Sequence, residues 1–539
     1  MVKDQILADL KKVIGDLGFL AIDIVLSIPK NPQFGDYTTN LALQLAKLEG
    51  VSNKQSPTEI ANEIIEKLKS FDSAQDNFSE IKIAGSGFIN FFVKAEKLAQ
   101  DLKEILEKDK NFGSSSLGED KKARVEYVSA NPTGPLHMGN ARGGPLGDVI
   151  ANVLLSQGYE VIREFLNNDV GEQIKALGAT IRAKYHKDLP EEKQYKGGYI
   201  DDLVKNLGAD MEGKSDEETG MMAVALLHQE ILADCHSMGI KFDLVVHESD
   251  LRKEAAQVLA QLKKAGVLKE KEGALWLAPK DEFLKDRETV IQKSDGGYTY
   301  FTADIVYHKI KFESGADPII DVFGSNHHGH VSRLQAAASA LGFDPKRLKV
   351  ILYQYVRVKR GSDIVKMSKR AGNFITAREV LDEVGVDAFR FYLLRFAPQT
   401  HMDFDLELVK EQSSKNPVFY VQYAHARMSN ILLKSQITNS KFQNVDFGQL
   451  QTEYELNLIK HLLYFPDLVS ELAINLQVHQ LTEYAISLAD FFHKFYETCP
   501  VLSAETSGLV KARLALVKSC KITLANTLKL LGVSAPERM

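Results

Sequence analysis

The chain has 539 residues, of which 44% are hydrophobic and 26% are charged. This composition is typical of globular proteins and excludes a largely disordered chain, and the length exceeds what a single hydrophobic core normally organises. The formal net charge of −6 means that the chain as a whole does not attract nucleic acid, so any binding of RNA would depend on local basic patches.

The first residues, 1–110, predict a separate α+β domain. Its opening segment has apolar residues at helical spacing, namely Ile6, Leu7, Leu10, Val13, Ile14 and Leu17. The strand-like and helical segments that follow are 22–28, 40–47, 60–69 and 81–93, the last of them broken by two glycines. A stretch rich in glycine, serine and charge then has the composition of a linker.

Residues 118–400 predict an α/β domain with a split Rossmann fold, in which strands and helices alternate around a parallel sheet. The segments that predict it are a strand at 124–129, a glycine-containing turn, a helix at 139–157 and a strand at 160–166. This is a βαβ unit, in which ligands lie at the carboxyl ends of the strands. Later segments at 318–324 and 349–358 extend the sheet, and a largely helical insertion is expected at about 170–290.

From 405 to 539 nearly every window has helical periodicity with few breaks, which predicts an all-α helical bundle. Basic and acidic residues are nearly balanced in this region, so charge alone neither shows nor excludes binding of nucleic acid. The expected fold class is therefore multidomain, with an N-terminal α+β domain, an α/β core carrying a helical insertion, and a C-terminal bundle.

A turn rich in glycine and proline separates the strand at 124–129 from the next helix. It consists of Ala130, Asn131, Pro132, Thr133, Gly134, Pro135, Leu136, His137, Met138, Gly139 and Asn140. The start of a helix presents unpaired N–H groups and a positive dipole to an anion. His137 and Asn140 can donate hydrogen bonds to phosphate or ribose. On local chemistry alone, a tight turn with a capping histidine explains the segment equally well.

A second segment, after a predicted strand, consists of Lys366, Met367, Ser368 and Lys369. Two lysines three positions apart can hold triphosphate oxygens and offset the negative charge that grows as pyrophosphate leaves. Taken alone, such a basic loop is more often simply solvated.

Together, and in this order on either side of a split nucleotide-binding fold, the two segments resemble the HIGH and KMSKS motifs of class I aminoacyl-tRNA synthetases. The resemblance implies an ATP site made by His137, Gly139, Asn140, Lys366, Met367, Ser368 and Lys369. The catalytic residues among them would be His137, Asn140, Lys366 and Lys369. The first motif departs from the family pattern because Asn140 replaces its second histidine; an amide can still donate a hydrogen bond but carries no charge.

Within that class, further segments covering almost the whole chain resemble arginyl-tRNA synthetases. They are 34–37, 126–131, 298–304, 324–330, 416–427 and 531–539. The resemblance implies that Ser129 and Asn131 hold the α-amino and carboxylate end of arginine, with Glu126 close by. It also implies that the guanidinium is recognised by Tyr300 and Asp304, in a pocket lined by His327.

The physical argument for Tyr300 and Asp304 is independent of the family. A guanidinium is a planar fork of donors, best matched by a carboxylate beside an aromatic wall. Residues four positions apart share one face of a helix, so this pair could supply both. Without the family, a core tyrosine and a surface aspartate explain the pair as well.

Metal binding is the alternative interpretation of the histidines at 327, 328 and 330. No cysteine or carboxylate cluster accompanies them, so a pocket-lining loop is favoured and no metal ligand is expected. The cysteines, Cys235, Cys499 and Cys520, are scattered without a Cys-x-x-Cys pair, so we expect neither a disulfide framework nor a structural zinc site.

Aromatic and basic residues in the C-terminal region are candidates for binding tRNA. Phe419, Tyr420 and Tyr423, with His425 and Arg427, could form a platform on which bases stack. Their helical spacing equally permits a buried core stripe. The segments 34–40 and 85–91 could likewise contact tRNA from the N-terminal domain, although ordinary turns also explain them.

The expected function is ATP-dependent ligation of L-arginine to its cognate tRNA through an arginyl-adenylate, with release of pyrophosphate and AMP. ATP with Mg²⁺ is the expected co-substrate, and the resemblance implies that tRNA must be bound before the adenylate forms. No run of 18 apolar residues or secretory signal occurs, so we expect a cytoplasmic protein that does not bind a membrane. The resemblance implies a monomer, and we expect no binding to DNA.

Two alternatives remain open at the level of sequence. One is an adenylate-forming nucleotidyltransferase that activates a small carboxylic acid without RNA, which the long helical C-terminal region disfavours. The other is a catalytically silent tRNA-binding paralogue, which the intact lysines of the second motif disfavour.

Overall fold

The computed structural model describes residues 2–19, 22–29, 32–47, 55–187, 195–279, 281–284, 287–361, 363–364, 375–435 and 445–539. They form an N-terminal α+β region, a central region built on a parallel sheet, and a C-terminal helical region, which confirms the predicted fold class. Within these ranges, no helix is both long and apolar enough to cross a membrane.

The N-terminal region is a four-stranded antiparallel sheet packed with helices. Its helices are α1 (Val2–Asp16), α2 (Leu41–Leu45), α3 (Pro57–Lys69), α4 (Asp72–Asn77), α5 (Ala95–Gln100) and α6 (Leu102–Lys108). Its strands, in the order β1-β2-β4-β3, are β1 (Leu26–Ser27), β2 (Tyr37–Thr39), β3 (Phe78–Ala84) and β4 (Phe88–Val93). A capping box between Ser56 and Glu59 begins α3, the helix that packs on β3 and β4.

Eight strands belong to the central region. They are β5 (Lys122–Tyr127), β6 (Glu160–Asn167), β7 (Leu244–His247), β8 (Leu268–Lys271), β9 (Ala274–Leu277), β10 (Thr289–Gln292), β11 (Ile319–Gly324) and β12 (Leu348–Tyr353). Five of them form a parallel sheet in the order β12-β11-β5-β6-β7, while β8, β9 and β10 form a separate antiparallel sheet.

Helices cover the parallel sheet and fill the segment after β6. They are α7 (Met138–Ala141), α8 (Gly143–Ser156), α9 (Glu172–His186), α10 (Gly198–Leu207), α11 (Asp216–Ser237), α12 (Glu248–Leu251), α13 (Ala255–Lys264), α14 (Tyr300–Glu313) and α15 (His328–Ala340). Helix α8 lies directly on β5, because a Cβ added to Gly147 would come within 2.2 Å of the Tyr127 side chain.

The strands depart from the pattern expected from sequence in two places. The range expected as a largely helical insertion, 170–290, contains β8 and β9 of the antiparallel sheet and also β7, which pairs in parallel with β6 and belongs to the central sheet. With four residues at a half-exposed sheet edge, β7 is too short to give a recognisable strand pattern. The segment expected as one strand at 349–358 divides after Tyr353, since its second half joins a different sheet.

The three-stranded sheet that this second half joins connects the central region to the bundle. Its strands, in the order β14-β13-β15, are β13 (Val356–Arg360), β14 (Asp363–Ile364) and β15 (Met402–Asp405). The helices of this segment are α16 (Ala377–Val384), α17 (Val386–Leu394) and α18 (Leu406–Lys410). The bundle comprises α19 (Pro417–Ser435), α20 (Glu453–Leu463), α21 (Phe465–Asn475), α22 (Gln480–Thr498) and α23 (Ser507–Leu531).

Arg390 joins the bundle to the central region. Its guanidinium is fully buried and donates hydrogen bonds to the carboxylate of Asp148 on α8 at 2.6 Å, to the carbonyl of Met238 at 2.9 Å and to the carbonyl of Leu531 at 3.0 Å. One side chain therefore fixes the end of α23 against the helix that packs on β5.

Gly532, which ends α23, has a φ of 66°, and a Cβ there would lie 2.2 Å from the Arg390 guanidinium. We expect Gly532→Ala to lower the free energy of unfolding by about 2–5 kcal/mol, since left-handed backbone costs an alanine about 1–2 kcal/mol and overpacking adds about 1–3 kcal/mol. The measurement is the midpoint of urea unfolding.

Gly315→Ala is the matched control. Gly315 also follows a helix and has a φ of 77°, but among the described residues nothing lies within 4 Å of the point that its Cβ would occupy. Gly315→Ala should lower the free energy of unfolding only by the backbone cost of about 1–2 kcal/mol. Equal shifts in the two variants would contradict the proposed contact with Arg390.

Candidate active site

The candidate site lies at the carboxyl edge of the parallel sheet. The strand order changes direction at β5: β6 and β7 lie on one side of it, and β11 and β12 lie on the other. Such a switch point leaves a crevice outside the carboxyl ends of the strands, where ligands bind in open α/β sheets. The segments that follow β5, β6 and β11 all emerge at this edge.

The turn after β5 has a constrained backbone. Val128 and Ser129 have φ angles of 67° and 36°, a left-handed region that costs residues with side chains about 1–3 kcal/mol each. The Ser129 hydroxyl accepts a hydrogen bond from the backbone N–H of Leu166, near the end of β6, at 3.0 Å. The turn is thereby fixed between two strands and directs the first motif across the carboxyl edge.

Asn131 is exposed at this edge with its amide held on both sides. Its oxygen accepts a hydrogen bond from Asn168 at 2.7 Å, and its nitrogen donates to Gln173 at 3.3 Å. Asn168 and Gln173 come from the segment after β6 and were not among the residues predicted from sequence. Their signal was a run of polar residues directly after a buried strand.

His137, Gly139 and Asn140 come together in one turn. His137 has extended backbone directly before α7, and its carbonyl accepts a hydrogen bond from the Asn140 N–H at 2.9 Å. A Cβ on Gly139 would lie 3.0 Å from the His137 ring and 3.1 Å from Tyr355, so the turn is closely packed. The Tyr353 hydroxyl donates to the Asn140 carbonyl at 3.2 Å.

A short antiparallel pairing joins the first motif to the chain that follows the second motif. The Met138 N–H donates to the Ile375 carbonyl at 3.1 Å, and the Ala377 N–H donates to the Leu136 carbonyl at 2.7 Å. The four residues of the second motif itself lie outside the described residues, namely Lys366, Met367, Ser368 and Lys369. The described chain resumes at Ile375, directly beside the first motif.

Arg142, two residues after the first motif, was not among the residues predicted from sequence. Its side chain is 1% exposed and donates, over 2.9–3.2 Å, to the backbone carbonyls of Gln354, Phe396, Ala397, Pro398 and Thr400. Burial lowers the pKa of Arg142 to about 10, so the guanidinium stays charged at neutral pH. Arg142 therefore fixes the beginning of α8 against the loop at 396–400.

Tyr300 and Asp304 lie one turn apart at the start of α14. The Tyr300 side chain is 62% exposed, which excludes a core tyrosine, and that of Asp304 is 18% exposed. On α15, Nε2 of His330 lies 2.9 Å from Oδ2 of Asp304, and its ring is nearly parallel to that of Tyr300 with centroids 6.2 Å apart. A partly open carboxylate bounded by aromatic rings can receive a guanidinium.

His327 lies between β11 and α15 beside this pair, at an exposed position. Its Nδ1 is 3.3 Å from the Gly324 carbonyl, and its ring centroid is 6.2 Å from that of His330. Partial desolvation of its ring lowers the pKa of His327, and the neighbouring His330 adds to the effect. Within the part of the chain that the structure describes, no group of three or more His, Cys, Asp or Glu residues is arranged to hold a metal ion.

Glu126 does not join Ser129 and Asn131 at the surface of the edge. It is 2% exposed, and its carboxylate accepts a hydrogen bond from Nζ of Lys311 in the interior. Burial raises the pKa of Glu126, an effect that the charge of Lys311 opposes. The position on β5 explains the difference, since its side chain points into the layer between the sheet and α14.

The candidate tRNA-binding residues on α19 form one half-exposed face, which we call the α19 face (Phe419, Tyr420, Tyr423 and Arg427). The Phe419 and Tyr423 rings are nearly parallel with centroids 6.4 Å apart, and Tyr423 is 44% exposed. The Tyr420 hydroxyl donates to Asp490 at 2.7 Å, and the Arg427 guanidinium lies 4.4 Å from the centre of a tyrosine ring on α22.

The core side of α19 is made by other residues, including Val418, Val421 and Met428. The α19 face is therefore not the buried stripe that the spacing also permitted. His425, grouped with the aromatic residues on sequence grounds, is 2% exposed, and its Nδ1 lies 2.8 Å from the Pro536 carbonyl. His425 thus fixes the C-terminal segment and is not part of the face.

Three family models match successive parts of the chain. Residues 1–93 match the arginyl tRNA synthetase N terminal domain, 101–391 match the tRNA synthetases class I (R) catalytic domain, and 421–539 match the DALR anticodon binding domain.

Whole-chain relatives agree with these models. An arginine--tRNA ligase of Carboxydothermus hydrogenoformans is 40% identical, with 100% of this chain and 99% of that protein covered. An arginine--tRNA ligase of Listeria monocytogenes is 41% identical, with 96% and 94% covered. The crystal structure of Thermus thermophilus arginyl-tRNA synthetase has the same fold, with a TM-score of 0.79, 23% identity and full coverage of both chains.

The contacts of Arg142 predict that lysine cannot replace it. We expect Arg142→Lys to lower the free energy of unfolding by about 2–4 kcal/mol, because one ammonium cannot reach five carbonyls and buried acceptors are left unpaired. Urea unfolding of the full chain measures the change.

The same substitution at Arg357 provides the control. Arg357 is exposed on β13 and pairs with Asp403 at 2.7 Å. Arg357→Lys should change the free energy of unfolding by no more than about 0.5 kcal/mol. If Arg142→Lys is as mild as this control, the carbonyl contacts do not stabilise the fold.

Proposed function

We propose substrate contacts and a division of roles for this chain on the premise that it belongs to the arginyl-tRNA synthetase family, in class I of the aminoacyl-tRNA synthetases, and charges tRNA with arginine in translation. The reaction has two steps. The arginine carboxylate attacks the α-phosphate of ATP, forming arginyl-adenylate and releasing pyrophosphate. A hydroxyl of the terminal adenosine of tRNA then takes the arginyl group, and AMP leaves.

ATP would be held by the two motifs together. His137, Gly139 and Asn140 would contact it from the first motif, and Lys366, Met367, Ser368 and Lys369 from the second. The support is the pairing of 136–138 with 375–377, which brings the chain that follows the second motif to the first motif. Positioning and charge neutralisation supply most of the acceleration in such a reaction. The chemistry requires no covalent intermediate on the protein.

Magnesium would enter with ATP as part of the substrate. Within the described ranges there is no cluster of carboxylates that would hold it independently. Phosphate oxygens and water can complete the coordination of Mg²⁺ without a dedicated protein cage. The residues of the chain then need only hold the nucleotide, with His137 and Asn140 donating hydrogen bonds and Lys366 and Lys369 contributing charge.

Arginine would lie along the carboxyl edge of the sheet. Ser129 and Asn131 would hold its α-amino and carboxylate end, Tyr300 and Asp304 its guanidinium, and His327 would line the pocket. The observation that carries this proposal is the partly open carboxylate of Asp304 beside the exposed ring of Tyr300. Glu126, buried on Lys311, would act from beneath the site without touching the substrate.

tRNA would be held by residues of the C-terminal bundle and of the N-terminal region. The α19 face offers flat rings and one guanidinium on the surface of the bundle, a combination on which bases stack. In the N-terminal region Phe34 and Phe88 are 49% and 40% exposed, consistent with a second contact. We also propose that the chain acts as a cytoplasmic monomer, with no role for DNA.

Asp304→Asn tests the guanidinium contact. Losing one partner of a charge pair costs about 2–5 kcal/mol, so the KM for arginine should rise at least about 30-fold while the KM for ATP stays nearly unchanged. Arginine-dependent ATP–pyrophosphate exchange, with tRNA present, measures both constants.

Asp295→Asn makes the same charge change nine residues upstream, in an exposed turn where Asn can still accept the hydrogen bond from Gly297. It should behave as the unmodified chain. An unchanged arginine KM in Asp304→Asn would refute the guanidinium role. A screen of other amino acids in the same assay tests whether arginine alone is activated.

Tyr423→Ala tests the α19 face. Stacking of a base on an aromatic ring contributes about 1–3 kcal/mol, so the KM for tRNA in aminoacylation should rise about 5- to 150-fold, while Tyr423→Phe should retain most of the affinity.

Tyr454, on α20, has the same 44% exposure and supplies a matched control. Tyr454→Ala should leave the KM for tRNA unchanged, and the KM for arginine at saturating tRNA should be equal in all three variants. Similar KM values for tRNA in Tyr423→Ala and Tyr454→Ala would exclude a specific contact at the α19 face.

A further inference from the structure

Six charged side chains are buried together between the parallel sheet and α14, and we call them the buried charge cluster. They are Arg124 and Glu126 on β5, Glu164 on β6, His308 and Lys311 on α14, and Asp321 on β11. None is more than 5% exposed. Burying an ion is expensive unless it is paired and hydrogen-bonded, so the contacts within the cluster decide its charge state.

Each carboxylate of the cluster meets a cation. Glu164 pairs with Arg124 and also accepts a hydrogen bond from the Tyr307 hydroxyl at 2.8 Å. Lys311 donates to Glu126 and, at 2.8 Å, to Asp321. The remaining oxygen of Asp321 lies 2.7 Å from Nε2 of His308.

The contacts of His308 determine its protonation. Its Nε2 faces the Asp321 carboxylate, and its Nδ1 lies 2.8 Å from the main-chain carbonyl of Asp304. A carbonyl and an ionised carboxylate can only accept hydrogen bonds, so both ring nitrogens must carry a proton. His308 is then an imidazolium, in the interior of the protein.

The local charges are consistent with that state. Burial acts to lower the pKa of His308, but the charge and hydrogen bond of Asp321 together with the charge of Glu126 raise that pKa above its usual value. Burial acts to raise the pKa of Asp321, yet Lys311 and His308 hold it well below its usual range. With His308 protonated, the cluster has three positive and three negative charges, so no net charge is buried.

We infer that His308 is a positioning residue for arginine recognition, because as an imidazolium it bridges Asp321 on β11 to the main-chain carbonyl of Asp304. The bridge fixes the first turns of α14, which carry Tyr300 and the Asp304 carboxylate, relative to the carboxyl edge of the sheet. The inference rests on the proposed contact between Asp304 and the guanidinium. A displacement of about 1 Å in such a site can lower activity by about 100-fold.

Two double variants separate positioning from charge balance. Asp321→Asn combined with His308→Leu, and Glu164→Gln combined with Arg124→Met, both remove one charge of each sign, so the cluster stays neutral. Only the first pair removes the bridge from β11 to the Asp304 carbonyl, because the second pair leaves His308 and Asp321 unchanged.

We expect the double variant at 308 and 321 to raise the KM for arginine by about 10- to 100-fold over the double variant at 124 and 164, with equal KM values for ATP in pyrophosphate exchange with tRNA. Equal arginine KM values in the two would overturn the inference, as would a parallel rise in the KM for ATP, which indicates general disorder. Asp304→Asn tests the proposed function separately: an arginine KM unchanged there, but different between the two double variants, would reject the guanidinium contact alone.

The protonation of His308 can be tested on the unmodified chain, with one variant used only to identify the signal. In long-range ¹H–¹⁵N spectra of histidine-labelled full chain at pH 8, one ring should show two protonated nitrogens, and this signal should be missing from His308→Gln. A spectrum with no doubly protonated histidine at pH 8 would overturn the inference, whatever the stability of the variants.

Discussion

The buried charge cluster is the constraint on which the site depends, because it ties together every element that leads to the proposed arginine pocket. The first motif follows β5, the Asn168 segment follows β6, His327 follows β11, and α14 carries Tyr300 and Asp304. Each of these four elements contributes at least one charge to the cluster. A buried ion pair adds little net stability over apolar packing, but removing one partner costs about 3–5 kcal/mol. The cluster therefore selects one arrangement of the four elements, more than it stabilises the fold.

A second set of contacts places the bundle and the first motif on that frame. Arg142 binds five carbonyls of the segment between the central region and the bundle, and Arg390 binds α8, the end of α11 and the end of α23. The bundle is thus held directly against α8, the helix that follows the first motif. In a separate contact, Lys460 of the bundle pairs with Asp36 of the N-terminal region at 2.5 Å.

Local pattern and resemblance predicted the fold class, and they predicted that Tyr300 and Asp304 share a helix face. Pattern and resemblance did not predict the positions of side chains whose partners are distant in sequence or are main-chain atoms. Arg142 and Arg390 gave no signal, since main-chain carbonyls have no residue identity for a pattern to reveal. Glu126 was expected at the substrate because its neighbours resemble a family motif. Its carboxylate is instead directed to Lys311, 185 positions away, which only the folded chain brings near. β7 was missed because four half-exposed residues do not form a recognisable alternation.

Backbone contacts explain how an asparagine can replace the second histidine of the first motif. The turn from His137 to Asn140 is fixed by the pairing of Met138 with Ile375, by the Tyr353 hydroxyl on the Asn140 carbonyl, and by Arg142 at the start of α8. None of these contacts involves the side chain of residue 140. Exchanging an imidazole for an amide there alters one hydrogen-bond donor and removes a possible charge, but it leaves the geometry of the turn intact. Residues outside the motif fix the backbone shape of the turn, so Asn140 in place of the histidine is compatible with an active site.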